Sequence, residues 1–318
     1  MHRSTTRTTR VAAVLTLLLV LVLALAGCGG TTTSDSTPAE ATEQAAAFPV
    51  TVIDDAAREV TIESEPQRIV SLAPSNTEII YALGLLDRLV GVTTYDDYPP
   101  EVADIEKIGD FVQPNIEAIT AAEPDLILAT TGVQADIVEQ LEGTGAVVLA
   151  IDPQTLEALF TSIETVGAAT GRVDEAGGIV AGMRLELASI ADAISATDAE
   201  PVRCFLEIAQ EPLFTVGEGT LLNDLIIAAG GQNIVTEPGY VAYSLEQLVT
   251  DDPDVYLATL GSMSDPSDLG KRPGYDKLTA VLNARVTVLD DNLVSRPGPR
   301  VVQGVRQIAE ALHPAAFE

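Results

Sequence analysis

The 318 residues contain no tryptophan, two histidines, two cysteines and three methionines. A bare zinc or manganese site usually gathers several imidazoles and carboxylates, and His2 and His313 stand at opposite ends of the chain. The same scarcity removes the Ser-His-Asp and Cys-His constellations of nucleophilic catalysis, unless His313 is recruited from the last helix. Placed before Pro314, His313 reads instead as a cation at a helix C-terminus. Basic side chains are few, 17 against 47 acids. So acidic a surface repels nucleic acid and anionic headgroups, which excludes nucleic-acid binding as a function. Gly217-Glu218-Gly219 and Gly29-Gly30 lack the lysine and the spacing of phosphate-cradling loops. No cofactor and no catalytic residue is expected, and an enzyme is not.

What is present begins with a leader. Arg3, Arg7 and Arg10 precede residues 11–26, which are apolar except for Thr16 and run into Gly27-Cys28. A basic start, a short apolar segment and small residues at its end describe a secretory signal. The apolar stretch is short for a membrane span. A cysteine directly after Leu25-Ala26-Gly27 resembles a bacterial lipoprotein signal, which implies that Cys28 is lipidated and becomes the first residue. Residues 1–27 are then the signal and residues 28–47, polar and small, a flexible tether. Loss of the signal takes away three arginines and no acid, leaving 14 basic residues against 47 acids and a net charge near −33. With Cys28 committed to lipid, Cys204 is alone in an apolar strand and reads as a buried structural thiol.

One stretch occurs twice. Residues 115–131, NIEAITAAEPDLILATT, and residues 244–260, SLEQLVTDDPDVYLATL, agree at six of seventeen positions after a shift of 129. Composition alone predicts roughly one such match. Each copy reads as a short helix, a Pro-Asp break and an apolar strand, which suggests two similar α/β units. Residues 50–53 and 59–62 flank a turn and predict a hairpin. Strands at 69–72, 89–92 and 146–151 then alternate with helices at 76–83, 134–141 and 155–169, with Ser75 or Asn76 as cap of the first. That alternation argues for a parallel sheet covered by helices. Residues 174–197 carry Ile179, Met183, Leu187, Ile190 and Ile194 at helical spacing, one long amphipathic helix. Gly177, Gly178 and Gly182 weaken it or permit close packing. A second series follows: a strand at 202–208, a helix at 221–229, a loop at 237–243, the second repeat, a strand at 286–289 and a last helix at about 300–312. The expected organisation is an N-terminal lobe at 48–172, a linker helix at 173–200 and a C-terminal lobe at 201–318. A hinge made of one helix bends less than a hinge of crossing strands.

RIVSLAPSNTE at 68–78, LVGV at 89–92, NIE at 115–117, PDLI at 124–127 and GGQNI at 230–234, taken in order, resemble the substrate-binding proteins of metal-chelate ABC importers. The resemblance runs from about residue 66 to 312. It implies an α/β fold of two Rossmann-like lobes joined by one long α-helix, the helical-backbone periplasmic binding protein, and delivery of cobalamin, a ferric siderophore or haem to a membrane permease. TYDDYP at 94–99 and EPLFT at 211–215 look most like the cobalamin-binding members. Matched motif by motif, Tyr95 falls at a cleft tyrosine, Phe111 and Tyr240 where tryptophans sit, and Arg296 at a cleft arginine. The missing tryptophans, and Thr130 where an aromatic is expected, depart from that pattern. Ser75 and Asn76 are helix caps first and ligand donors second. Tyr95, Phe111 and Tyr240 lie in polar or Pro-rich loops, which suits ligand contact, with loop packing as the other reading.

Glu117 and Glu246, equivalent in the repeat, each stand second in a helix, where an acid gains about 0.3–1 kcal/mol from the helix dipole. The resemblance implies a second role, docking onto arginines of the permease dimer that works with its ATPase subunits. The partners expected are thus that permease, a corrinoid or other metal chelate, and a membrane through the lipid on Cys28. The protein is expected to be a monomer outside the cytoplasm, on the periplasmic side or the cell surface. An exported enzyme or a sensory lipoprotein of similar fold is the reading from another class.

Overall fold

A computed structural model describes residues 48–259 and 265–318, the side chain of Asp268 apart. The expected signal, tether and lipidation site at Cys28 lie outside the described residues. Strands β1 (Val50–Ile53) and β2 (Glu59–Ile62) form an antiparallel hairpin. Asp54 fixes its turn, accepting from the backbone N–H groups of Ala56 and Arg58 and pairing with the Arg58 guanidinium. The chain then alternates through β3 (Ile69–Ser71), helix α1 (Pro74–Ala82), β4 (Leu89–Gly91), α2 (Ile116–Ala121), β5 (Leu126–Ala129), α3 (Val138–Glu142) and β6 (Val147–Ala150). The four strands of that series lie in the order β4-β3-β5-β6, all parallel. Every residue of β5 is buried, as expected of an inner strand covered on both faces.

Helix α4 (Leu156–Thr170) stops at Gly171, whose φ of 73° suits a left-handed cap. Helix α5 (Val173–Ser195) follows at once. It buries Ala176, Val180, Met183, Ile190 and Ile194 along one face, so the spacing read from the sequence is the packing face. At its start it approaches α4 so closely that a Cβ on Gly167 would lie 2.3 Å from Ala176 Cβ. The three glycines inside α5 do something different from what close packing requires. Gly177, Gly178 and Gly182 are exposed, and a Cβ on any of them would meet nothing within 4 Å.

After α5 come β7 (Val202–Gln210), β8 (Leu213–Val216), α6 (Leu221–Ala228), β9 (Gly231–Asn233), β10 (Tyr240–Ala242), α7 (Leu245–Asp251) and β11 (Val255–Thr259). Then α8 (Thr279–Leu282), β12 (Val286–Leu289), α9 (Asp291–Val294) and α10 (Val301–Leu312) complete the series. This sheet is mixed. Strands β7, β11 and β12 run parallel, whereas β8 and β10 add an antiparallel ribbon, in the order β10-β8-β7-β11-β12. The nine-residue β7 takes β9 along its first residues and β8 along its last. Cys204, on β7, has no exposed surface, and burial pushes its thiol up to about 12. The residues therefore build an α/β fold of two Rossmann-like sheets with one long helix between them in sequence.

The duplication is visible in detail. Strands β5 and β11 are both fully buried and both inner. Asn115 accepts from the Ala118 N–H at the start of α2, and Ser244 with Gln247 closes a capping box at the start of α7. Glu123 and Asp252, which the 129-residue shift equates, both hold positive φ, 47° and 39°. Arg68 donates to the carbonyls of Ala122 and Glu123, and Arg203 to those of Asp251 and Asp252, so an arginine closes each repeat helix.

Two expectations are corrected. Helix α1 begins at Pro74 after Ala73, which offers no side-chain cap, so Ser75 and Asn76 lie inside the first turn and cap nothing. Residues 240–242 are a strand, held by pairing with β8. Of the two readings of the α5 glycines, exposure holds and close packing does not. His313 stands at the end of α10, as expected; it is buried, and its Nε2 meets the Gly230 carbonyl at 3.0 Å, a packing contact within the C-terminal half.

Candidate functional site

In open parallel sheets ligands lie beyond the carboxyl ends of the strands. The loop after β4 is built for that place. Asp96 is 6% exposed and accepts from Thr93 through both N–H (2.9 Å) and hydroxyl (2.5 Å). Lys107 Nζ donates to the Asp96 carbonyl at 3.4 Å. Burial raises the Asp96 carboxyl above its ordinary range, against the opposing pull of Thr77, Thr93 and the Lys107 ammonium. With Asp96 turned inward, its neighbour Tyr95 is left 59% exposed. Phe111, half-buried, is held through its carbonyl, which accepts from Gln134 Nε2 at 2.8 Å. The same amide nitrogen reaches the Leu72 carbonyl after β3, and Gln134 Oε1 accepts from Thr130 N–H after β5. Gln134, with no exposed surface, thus ties together three strand-end segments.

Tyr240 opens β10 and is half exposed. Partial burial, and then the negative charge of Asp152, raise its phenol. Arg296 follows α9 and crosses to the first half, donating to Asp97 at 2.6 and 3.3 Å and lying 3.5 Å from Glu78. Arg300 pairs with both oxygens of Glu78, at 2.9 and 2.5 Å, and its guanidinium lies 3.9 Å over the Tyr98 ring. Between the two arginines the backbone passes so near that a Cβ on Gly298 would stand 3.2 Å from Glu78 and 3.6 Å from the Ser75 carbonyl.

The fold therefore brings Tyr95 and Arg296 onto loops joined through Asp97. Asn76 differs: it has no exposed surface, and neither amide atom has a partner among the described residues. Ser75 is 6% exposed. Glu78, Asp97, Gln134 and Arg300 escaped the sequence reading. An acid inside the apolar turns of α1 was the one available signal, for Glu78. Away from these loops, Glu117 and Glu246 are both exposed at the second position of α2 and α7, and neither forms an ion pair among the described residues.

Two sheets whose strand-end loops meet through charged and aromatic side chains define a two-part ligand-binding protein. A family model described as periplasmic binding protein matches residues 69–293, and the chain belongs to that family. It is 37% identical over 299 residues to the uncharacterized ABC transporter substrate-binding lipoprotein YvrC of Bacillus subtilis, covering 92% of this chain and 94% of that one. A cobalamin-binding protein of Halobacterium salinarum is 31% identical over 287 residues, 85% of this chain and 76% of its own length. Among solved structures, a periplasmic heme binding protein from Pseudomonas aeruginosa superposes with a TM-score of 0.72 at 29% identity, covering 79% of this chain and 94% of that one.

Proposed function

We propose that the chain is the substrate-binding component of an ABC importer, which captures cobalamin or a related corrinoid between its halves and delivers it to the permease. The observation that carries this reading is the set of Tyr95, Tyr240 and Arg296 around the strand ends, together with family membership. Flat apolar rings and one cation suit a large planar chelate with polar edges. Binding is the whole activity, and no covalent step is assigned. Lipid on Cys28 holds the protein outside the cytoplasm at the membrane. Among the described residues no helix is long and apolar enough to cross a membrane.

A ferric siderophore or haem is the second reading. The chain has no tryptophan, and Thr130 stands where the cobalamin-binding pattern expects an aromatic, so the large faces of that pattern are reduced. Calorimetry of the purified protein against cobalamin, cobinamide, ferric hydroxamates and haem separates the two. Silence toward all four removes the chelate reading.

Glu117 and Glu246 are the docking acids of this proposal, one per repeat and both without an ion pair among the described residues. Glu117→Ala combined with Glu246→Ala is expected to abolish stimulation of the permease–ATPase complex while ligand affinity is unchanged. Full stimulation by the double variant removes the docking assignment.

A further inference from the structure

Arg296 already holds an anion. Its guanidinium forks onto Asp97, Nη1 to Oδ1 at 2.6 Å and Nη2 to Oδ2 at 3.3 Å. Glu78 stands 3.5 Å from the same nitrogen, yet Glu78 is committed elsewhere, receiving Nε and Nη2 of Arg300. The two carboxylates differ in what releasing them requires. The Glu78 side chain is 2% exposed, so stripping its partner leaves a buried charge. The Asp97 side chain is 57% exposed, so water replaces the guanidinium as soon as the pair opens. Asp97 also stands two residues from Tyr95, on the same outward loop.

We infer that Asp97 is a specificity residue: its carboxylate fills the fork of Arg296 as an internal anion, which only a ligand bearing a phosphate or carboxylate displaces. This deepens the reading above and rests on its assignment of Arg296 to the ligand. An incoming anion exchanges one bidentate partner for another, and Asp97 turns into water. The Glu78–Arg300 pair stays closed throughout, so the halves remain tied during the exchange. A neutral ligand gains nothing from Arg296, because it offers no anion to replace the bidentate Asp97 partner that it would have to displace. Discrimination therefore comes from competition as well as from attraction. The hydrogen bond from Arg296, and then the charges of Arg296 and Arg300, hold the Asp97 carboxyl below its ordinary range, so the competitor stays ionised at neutral pH.

The test compares matched probes. Cobalamin carries a phosphodiester that cobinamide lacks, and haem carries two carboxylates that its dimethyl ester lacks. Asp97→Asn, and Asp97→Ala with no side-chain oxygen left, are expected to bind the anionic member of a pair roughly fivefold more tightly, what about 1 kcal/mol of surface ion pair corresponds to. The neutral member is expected not to change, and Arg296→Gln added to either variant is expected to abolish the gain. An equal change for both members of a pair, or a gain that survives loss of Arg296, overturns the inference. If Arg296→Gln alone weakens the anionic probes but the Asp97 variants gain nothing, only the inference falls. If Arg296→Gln leaves all four affinities unchanged, the assignment of Arg296 falls, and the inference with it.

Discussion

Asp96 shows how one buried carboxyl positions an exposed ring. Its Oδ2 fastens Thr93, while its Oδ1 has no hydrogen-bond partner among the described residues, and the Thr77 hydroxyl beside it donates to Ser71. Burial raises this carboxyl, so the folded state favours its protonated form. The stability it contributes is complete below the unfolded carboxylate range and is lost as pH rises through the raised folded value. Asp96→Asn keeps an oxygen for Thr93 and gives an N–H to Thr77. Its melting temperature is expected to exceed that of the unaltered protein at about pH 7, with the gap closing near pH 3; a gap that widens in acid refutes the assignment. At this scale the sequence singled out Tyr95 and Arg296 through their motif positions, and the structure joins their loops through Asp97. The sequence did not reveal Asp97 or Arg300, whose partners lie 199 and 222 residues away. Asn76 misled because a good capping residue was weighed before Pro74, whose fixed φ suits the first helical position and starts α1 two residues earlier.

Among the elements, α4 and α5 pose opposite demands on glycine. Gly177→Ala, Gly178→Ala and Gly182→Ala meet open space on an exposed face, so each is expected to stabilise by about 0.5–1 kcal/mol in urea unfolding. Gly167→Ala drives a methyl group to 2.3 Å from Ala176 and 2.8 Å from the Arg172 carbonyl, and is expected to destabilise by about 1–3 kcal/mol. Equal effects at all four positions would contradict the packing of these helices. Elements with a strong local period were legible in outline: the hairpin, α4, α5 and both repeat strands differ from expectation by a residue or two. Strands β9 and β10 were not. Each has three residues, and each exists because β7 or β8 offers it hydrogen bonds, a circumstance no local pattern announces.

For the molecule as a whole, 47 acids against 17 bases create self-repulsion that salt screens. Raising sodium chloride from about 0.01 M to about 0.5 M is expected to lift the melting temperature by a few degrees. A fall would mean that the attractive pairs, Arg306–Glu186 and Arg184–Glu157 among them, outweigh the repulsion. The Glu78–Arg300 pair has a further consequence, for the order in which the chain can finish folding. Its carboxylate belongs to the first helix and its guanidinium to the residue before the last long one. A chain that crosses a membrane amino end first must bury that carboxylate alone, or leave α1 unsettled, until the final residues arrive. Likewise the first N–H of α4 waits for Asp224 of α6. The N-terminal half thus lacks two of its native partners until the C-terminal half is folded against it.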